Sequence, residues 1–255
     1  MASKRSERWS PLILLVALIL IWQLICSAFN VSEFVFPSPW RIYEQTVEHY
    51  ALIAGHTWRT FWVTMLGFGI AIVVGVLLGF LIGSSRAAYA AVYPLMTAFN
   101  ALPKAAFVPI LVVWFGIGIG PAVLTAFLIS FFPIMVNIAT GLATLEPELE
   151  DVLRVLGAKR WDVLTKVGMP RSMPYFYGSL KVAITLAFVG TTVSEMTASN
   201  EGIGYLLISA GSSMQMGLAF SGLVVVGVMA MAMYELFNYI EMHTTGWAHR
   251  GSQNL

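Results

Sequence analysis

Long runs of apolar residues, separated by short polar stretches, dominate the hydrophobic pattern of this chain. About 20 apolar residues in a helix are enough to cross the hydrocarbon core of a membrane, and six runs approach or exceed that length. The pattern predicts an all-α membrane protein with about six transmembrane helices, in a single transmembrane domain over residues 1–255. The predicted spans are roughly 11–29, 57–83, 88–115, 121–143, 176–197 and 217–240.

The stretch between the first two predicted spans is more polar than its neighbours. It contains FPSPWRIYEQTVEHYALI, which begins with Pro-Ser-Pro and then follows an amphipathic pattern. This predicts one helix lying along the outer surface. We therefore divide the domain into the first helix with this outer segment, 1–56, and a core, 57–245. The glycine-rich connection at 198–216 leaves open whether a short helix dips back into the bundle.

Small residues recur every four positions in the second predicted span. Small residues at this spacing let another helix approach closely in lipid. The stripe therefore predicts tight helix packing and carries no information about substrate. Its members are Gly67, Ala71, Gly75, Gly79 and Gly83.

The third predicted span is interrupted by Pro94, Pro103 and Pro109. Each proline frees backbone carbonyls that lipid cannot satisfy, so the span is expected to break. Broken helices in transporters face protein or a water-filled path. Two interpretations stay open, a kink without a function and a place on a translocation pathway.

Composition supports the membrane assignment and restricts the chemistry. The chain is 58% hydrophobic, 11% charged and has a mean hydropathy of +0.79, whereas soluble domains carry about 25% charged residues. The single cysteine, Cys26, excludes an intrachain disulfide and any multi-cysteine metal site. The histidines also lack metal-ligand spacing, so we predict no metal site.

Basic residues are distributed unevenly across the predicted spans. With the N-terminus in the cytoplasm, eleven of the fourteen Lys and Arg residues fall on the cytoplasmic side. Because basic residues favour that side, both termini are predicted to be cytoplasmic. The eleven are Lys4, Arg5, Arg8, Arg86, Arg154, Lys159, Arg160, Lys166, Arg171, Lys181 and Arg250.

Charged residues concentrate in 146–171, a stretch between the fourth and fifth spans that we call the coupling loop. The pattern predicts two short helices, 148–156 and 159–167, joined at Gly157 and closed by Pro170. Apolar side chains beside these charges indicate docking to a partner protein. They are Val152, Leu153, Leu156, Trp161 and Leu164.

The coupling loop resembles the "EAA" loop of bacterial ABC-importer permeases. That loop begins with an acidic-Ala-Ala trio, has a glycine four residues after the trio and, after nine more residues, ends in Ile-x-Leu-Pro. The corresponding residues here are Asp151-Val152-Leu153, Gly157 and Val167-Gly168-Met169-Pro170. The spacing is intact. The departures are Asp for Glu, Val-Leu for Ala-Ala, and Val and Met for Ile and Leu.

The resemblance extends over nearly the whole chain. FPSPWRI, GFGIAIVVGVLLGFLIGSS, ALPKAAFVPILVVWFGIGIGP and SEMTASNEGIGYL all look like segments of the permeases for nitrate, sulfonate and taurine. Other members of that subfamily carry thiamine or riboflavin precursors and aromatic acids. The resemblance implies the type I ABC importer permease fold. Such permeases commonly carry an arginine at the position of Val63, and here Arg59 lies one turn earlier.

The family's mechanism implies several partners. Two copies of the permease form the pathway in the bacterial inner membrane, and two ATPase subunits bind the coupling loops. A periplasmic or lipid-anchored binding protein delivers the substrate, and no nucleic acid is involved. ATP and Mg²⁺ belong to the ATPase, so this chain is expected to hold no cofactor and to catalyse nothing; it has no G-x-x-x-x-G-K-[ST] phosphate loop. The implied docking residues are Asp151, Val152, Leu153, Leu156, Gly157, Ala158, Trp161 and Pro170.

Lys104 is the first candidate for the pathway itself. It lies between Pro103 and Pro109 in the broken span, and charges inside a membrane usually face a cavity or a partner. Attraction of an anionic substrate is one role. The alternative is a lysine that extends towards the membrane interface.

Two further polar residues in the spans complete the candidates. Glu195, near the outer end of the fifth span, is predicted to pair with Arg59 or Lys104, or to help an outer gate. Asn137, in the fourth span, is predicted to form an interhelical hydrogen bond.

Two other classes of protein share part of this pattern. A secondary transporter or channel would also have broken helices, but the six spans show no inverted repeat and such a protein needs no coupling loop. A membrane hydrolase would use Ser212 or Ser213 with His243. The serines are predicted outside and the histidine inside, so the pair cannot meet.

Overall fold

The computed structural model describes residues 4–144, 152–153 and 155–245, all but the side chains of residues 4–8 and 160. Over these residues the regular elements are helical, and five helices are long and apolar enough to cross a membrane, or six with one bent pair. The prediction of an all-α membrane protein is confirmed. The helices are α1 Lys4–Ala28, α2 Pro39–Glu48, α3 Tyr50–Gly83, α4 Arg86–Ala101, α5 Val108–Phe115, α6 Ile119–Ala143, α7 Arg160–Val163, α8 Met169–Ala198, α9 Ile203–Ser212 and α10 Met216–Thr244.

Glycines on one face of α3 allow α6 to pack directly against its backbone. A Cβ added at Gly67 would lie 2.6 Å from the Val123 carbonyl oxygen, and one at Gly79 would lie 2.8 Å from the Met135 carbonyl oxygen. No side chain fits at such distances, so the predicted packing role of the stripe is confirmed. The same holds at Gly75 and Gly83.

Helix α8 lies against both α3 and α6 at the centre of the bundle. Its small residues alternate with large apolar ones, so that it fills the space between its neighbours. Ala183, Ile184, Ala187 and Phe188 have no exposed surface. Helix α10 covers a third side with partly buried apolar side chains, among them Met229, Met233 and Phe237.

The third predicted span is broken as expected. Helix α4 ends at Ala101, a 3₁₀ turn covers Lys104–Phe107, and the next helical segment leaves at 75° to α4. Pro103 stands at the break, where its φ is −70° and its ψ is 87°. Because proline has no N–H and its ring opposes a preceding helical residue, the helix stops there.

The outer segment differs from the single amphipathic helix that we predicted. Helix α2 begins after Ser38, whose hydroxyl accepts a hydrogen bond from the Arg41 N–H at 3.3 Å, and it ends at Glu48. His49 departs from helical geometry, with ψ of 23°, and the chain then enters α3 at Tyr50. The second span therefore starts seven residues before the predicted boundary at 57.

The connection at 198–216 does contain a short helix. Helix α9 turns back against the bundle, and its apolar face packs on residues from α3 and α10. The cluster consists of Ile53, Ile203, Leu206, Ala210, Leu218 and Ala219.

Helix α1 has few contacts within the described residues. Only 6% of its most apolar window is buried. The side-chain oxygen of Gln23 accepts the Trp40 N–H at 3.1 Å, and the ring of Trp22 lies 5.1 Å from that of Phe36. Most of its surface is therefore available to lipid or to another chain.

Candidate functional site

The described part of the coupling loop makes a sharp turn at Gly157. The backbone there has φ of +84°, a left-handed conformation that glycine adopts without strain. The Ala158 N–H donates to the Leu153 carbonyl oxygen at 3.0 Å, as in the usual glycine-terminated helix end. The predicted end of the first short helix at Gly157 is confirmed, while Asp151 lies outside the described residues.

Large apolar side chains project from this turn. Val155 is 88% exposed and Leu156 is 77% exposed. Within the described residues nothing covers them, and a surface of this kind marks a site of protein association. Of the predicted docking residues, Val152 and Trp161 are exposed as well, whereas Leu153 is half-buried; Val155 was not among those predicted.

The second half of the loop is not the isolated helix that we predicted. Helix α7 continues through a π-helical turn at Leu164–Gly168 into α8, so the helical path runs from Arg160 to Ala198. Pro170 does not end it. The wider turn explains this, because an extra residue relieves the clash between a proline ring and the preceding carbonyl. The loop is thereby joined to the central helix without a flexible link.

Contacts with α3 and within the loop fix the base of this structure. The ring of Trp161 meets that of Phe80 edge-on at 5.9 Å. Asp162 forms an ion pair with Lys166 at 2.9 Å and accepts the Lys159 N–H at 3.3 Å. The loop is therefore anchored at its base while its tip remains exposed.

A buried polar cluster, which we call the hub, occupies the opposite end of the bundle. Glu195 is 2% exposed, and its carboxylate accepts the Thr60 hydroxyl at 2.8 Å and the Gly204 N–H at 3.0 Å. The Thr60 oxygen in turn accepts the Ile203 N–H at 2.8 Å. One carboxylate thus joins α3, α8 and the first turn of α9, and satisfies a backbone donor that lipid cannot.

The predicted ion pair of Glu195 with Arg59 or Lys104 is wrong. Arg59 Nε lies 3.2 Å from a carboxylate oxygen of Glu201, at the surface. Lys104 points elsewhere, as described below. The reason is geometric: Arg59 and Thr60 are adjacent on α3, so only Thr60 faces α8, and the arginine reaches the connection before α9. His56 adds a bond there, since its Nδ1 accepts the Gly202 N–H at 3.0 Å.

Most of the hub residues were not predicted from the sequence. Thr64 donates to the Thr60 carbonyl oxygen at 2.7 Å and to the Thr191 hydroxyl at 2.9 Å. A signal was present, because Thr60 and Thr64 are four residues apart and Thr64 lies three residues before Gly67, so both stand on the same side of α3 as the glycine stripe. The two threonines and the small residues of the stripe together form the face of α3 that packs against α6 and α8.

Lys104 caps the end of α4 next to the break in the third span. Its ammonium donates to the Asn100 carbonyl oxygen at 2.9 Å and to the Asn100 side-chain oxygen at 3.0 Å. It also lies 5.0 Å from the centre of the Phe132 ring, a favourable cation–π distance. The charge thus caps the Asn100 carbonyl in the last turn of α4. Pro109 starts α5 beyond the break.

Asn137 does not form the predicted interhelical bond. Its Nδ2 donates to the Pro133 carbonyl oxygen, four residues earlier in the same helix, at 2.8 Å. The Pro133 carbonyl lies one turn earlier on the same helix, within reach of a side-chain amide at Asn137.

The described residues contain no group of three or more metal-ligating side chains. The rival serine–histidine pair is also separated, because Ser212 lies before α10 and His243 lies in its last turn. At about 1.5 Å per residue the intervening helix is roughly 40 Å long.

A bundle of spans with an exposed coupling loop is the architecture of an importer permease, and the comparisons with known proteins agree. Residues 71–241 match the family model "Binding-protein-dependent transport system inner membrane component". This match covers most of the chain, so the protein belongs to that family. It is an ABC-importer permease and a multi-pass protein of the inner membrane.

Individual relatives align with most of the chain. A probable ABC transporter permease protein of Haemophilus influenzae is 29% identical over 93% of this chain and 97% of its own length. The formylaminopyrimidine transport permease protein ThiX of Halalkalibacterium halodurans is 33% identical over 79% of this chain and 81% of its own. Other relatives are named for riboflavin, aliphatic sulfonates and nitrate, which places the chain in the predicted subfamily.

A solved structure supports the fold. A chain of the MetNI methionine ABC transporter, in an inward-facing conformation, superposes with a TM-score of 0.67 at 16% identity. The match covers 78% of this chain and 98% of that one. The predicted importer-permease fold is confirmed.

Proposed function

We propose that this chain passes a small anionic solute, such as a sulfonate, taurine or nitrate, from a binding protein into the cytoplasm. Two copies form the pathway, and each docks its coupling loop on one of two ATPase subunits that bind ATP and Mg²⁺. The binding protein is periplasmic or lipid-anchored. Both termini lie in the cytoplasm, on the side of the coupling loop.

The exposed tip of the coupling loop carries the proposal. Val155 and Leu156 expose nearly all of their apolar surface beside a glycine turn, which is costly unless a partner covers them. The helical path from Arg160 to Ala198 then leads from this tip to the centre of the bundle. A push on the loop would therefore reach the spans directly.

The substrate class is the least constrained part of the proposal. Names of relatives include nitrate and aliphatic sulfonates, which are anions, but also riboflavin and formylaminopyrimidine. A thiamine or riboflavin precursor or an aromatic acid is therefore the alternative. Lys104 favours an anion, since it is a cation at the break of a span.

Native mass spectrometry of the tagged chain, purified from its own membranes, tests the assembly. We expect a mass that fits two copies of this chain with two ATPase subunits. A binding protein captured with its ligand would identify the substrate. An oligomer without any ATPase would contradict the proposal and favour a secondary transporter.

Gly157→Trp tests the docking role within that assembly. A Cβ at Gly157 meets nothing within 4 Å, and the positive φ costs a tryptophan about 1–2 kcal/mol, so the variant is expected to reach the membrane, somewhat destabilised, while losing the ATPase. Gly157→Asn is the matched control, because asparagine tolerates a positive φ and is small. Full transport by Gly157→Trp would contradict docking at this turn.

A further inference from the structure

A buried ion pair joins α8 to α10 and takes no part in the sites described above. Lys181 Nζ lies 2.6 Å from a carboxylate oxygen of Glu241, and the two side chains are only 17% and 8% exposed. The other ion pairs reported between described residues all lie at the surface, with each side chain more than a third exposed. This pair is therefore the exception in the bundle.

Helix α10 provides a complete environment for the lysine. Asn238 accepts from the Lys181 ammonium at 3.5 Å, and the Tyr234 ring centre lies 5.7 Å away. With Glu241, these residues stand at helical spacing on one face of α10. The ammonium thus meets a carboxylate, an amide and an aromatic face from one helix, which fixes the position and rotation of α10 against α8.

The position of the pair relates it to the coupling loop. Lys181 lies in α8, roughly 18 Å from its start at about 1.5 Å per residue, and that helix continues the path from the loop without a break. Glu241 lies in the last turn of α10, whose final residue is Thr244. The tie therefore lies in the half of the bundle nearer the coupling loop.

Several other side chains that α10 packs against the core of the bundle are apolar. Met229, Met233 and Phe237 are only partly buried against the core. In lipid, apolar contacts give little preference for one arrangement over another, because the lipid tails are equally apolar. These apolar contacts would therefore tolerate sliding of α10 along α8. It would not be tolerated by the ion pair, because separation takes the carboxylate away from the largely buried Lys181 ammonium.

We propose that Lys181 and Glu241 form a latch that makes α10 move with α8 when the coupling loop moves. The residues are positioning residues: they touch neither substrate nor ATPase, and they transmit movement to the last span. The proposal rests on the proposed function, since the movement is driven by the ATPase at the loop.

Distances between spin labels on the two helices test the latch. In a Cys26→Ala background, labels are placed at the exposed positions Val182→Cys and Met242→Cys. The complex is measured in nanodiscs, without nucleotide and after trapping with MgATP and vanadate. In the protein with both Lys181 and Glu241, we expect the distance between the labels to be the same without nucleotide and after trapping. In Glu241→Gln we expect the distance to shift or broaden on trapping.

Further variants separate the latch from general stability. The exchange Lys181→Glu with Glu241→Lys should restore the unchanged distance, whereas a purely local packing defect would persist. Glu33→Gln is the matched control, because Glu33 forms an exposed ion pair with Arg41 on another part of the chain. It should behave as the latched protein does.

The outcomes distinguish the latch from the function on which it rests. If the native chain purifies without an ATPase, the proposed function fails and the latch's role fails with it. If the ATPase is present but the distance between α8 and α10 changes on trapping in the native sequence, only the latch is overturned. This measurement uses no charge variant, so its result does not depend on whether such a variant folds. An unchanged distance in trapped Glu241→Gln also overturns it.

Discussion

Glu195 and Gly157 stand at opposite ends of the bundle, and their surroundings differ in kind. The hub around Glu195 is buried, and every polar bond described for its carboxylate ends on another part of the same chain. The tip around Gly157 is exposed and apolar, and nothing in the described chain covers it. One end is therefore completed by the chain itself, while the other requires a second protein. Substitutions in the hub should therefore lower the free energy of unfolding, whereas substitutions at the tip should weaken binding of the ATPase.

The largest effect on stability is expected from Glu195→Ala. The change leaves the Gly204 N–H and the Thr60 hydroxyl without their acceptor in a buried site, and each unsatisfied group costs about 1–3 kcal/mol. We expect a loss of about 3 kcal/mol in the free energy of unfolding, measured by SDS titration. Thr197→Ala, on the exposed side of the same helix, should change it by less than about 0.5 kcal/mol. Equal stability of the two variants would contradict a structural hub.

Gly67→Ala should destabilise the adjoining α3–α6 contact. The added methyl would lie 2.6 Å from the Val123 carbonyl oxygen, and overpacking of this kind costs about 1–3 kcal/mol. Gly69→Ala is a matched control two residues away, where a Cβ meets nothing within 4 Å. It should stabilise the helix by about 0.5–1 kcal/mol, because alanine is the better helix former. If both substitutions change the free energy of unfolding in the same direction, close packing at Gly67 is not the cause.

Leu156→Asp moves the test to the exposed end. Its side chain has almost no intramolecular contact to lose, so the unfolding free energy should not change. Binding of the ATPase should weaken at least tenfold, which is about 1.4 kcal/mol, as read from copurification at graded concentrations. Val35→Asp, an exposed apolar position outside the helices, is the control. Normal ATPase binding by Leu156→Asp would show that the tip is not the docking surface.

Lys104→Met is expected to have the smallest effect. Its bonds to Asn100 are at the surface, so stability should change by less than about 0.5 kcal/mol. If the charge attracts an anion, uptake into proteoliposomes should fall about fivefold, or about 1 kcal/mol in barrier height. The solute used is the one released from the captured binding protein. Lys104→Arg should retain uptake, and a normal rate in Lys104→Met would exclude a role in substrate attraction.

Local patterns account for the features that were predicted correctly. The spans follow from runs of apolar residues, and the stripe that begins at Gly67 follows from its four-residue spacing. The break at Pro103 and the turn at Gly157 follow from the backbone restrictions of proline and glycine. Each of these signals is contained in a few neighbouring residues, so no knowledge of the packing was needed.

The features that were missed depend on residues far apart in the sequence. Thr60 and Glu195 are 135 positions apart, and Lys181 and Glu241 meet only because α8 and α10 pack side by side. Charge alone suggested Arg59 as the partner of Glu195, but the rotation of α3 turns Thr60 inwards instead. Asn137 found its acceptor within its own helix.

The sequence by itself therefore determined that this protein is helical, spans a membrane and presents a glycine turn between two of its spans. It did so because hydrophobic runs and backbone restrictions act locally. Only the tertiary structure decided which polar groups face one another, where α3 begins, and that the coupling loop continues through Pro170 into the central helix. Those outcomes depend on helix rotation and packing, because a buried polar group must find its partner on whichever helix lies beside it.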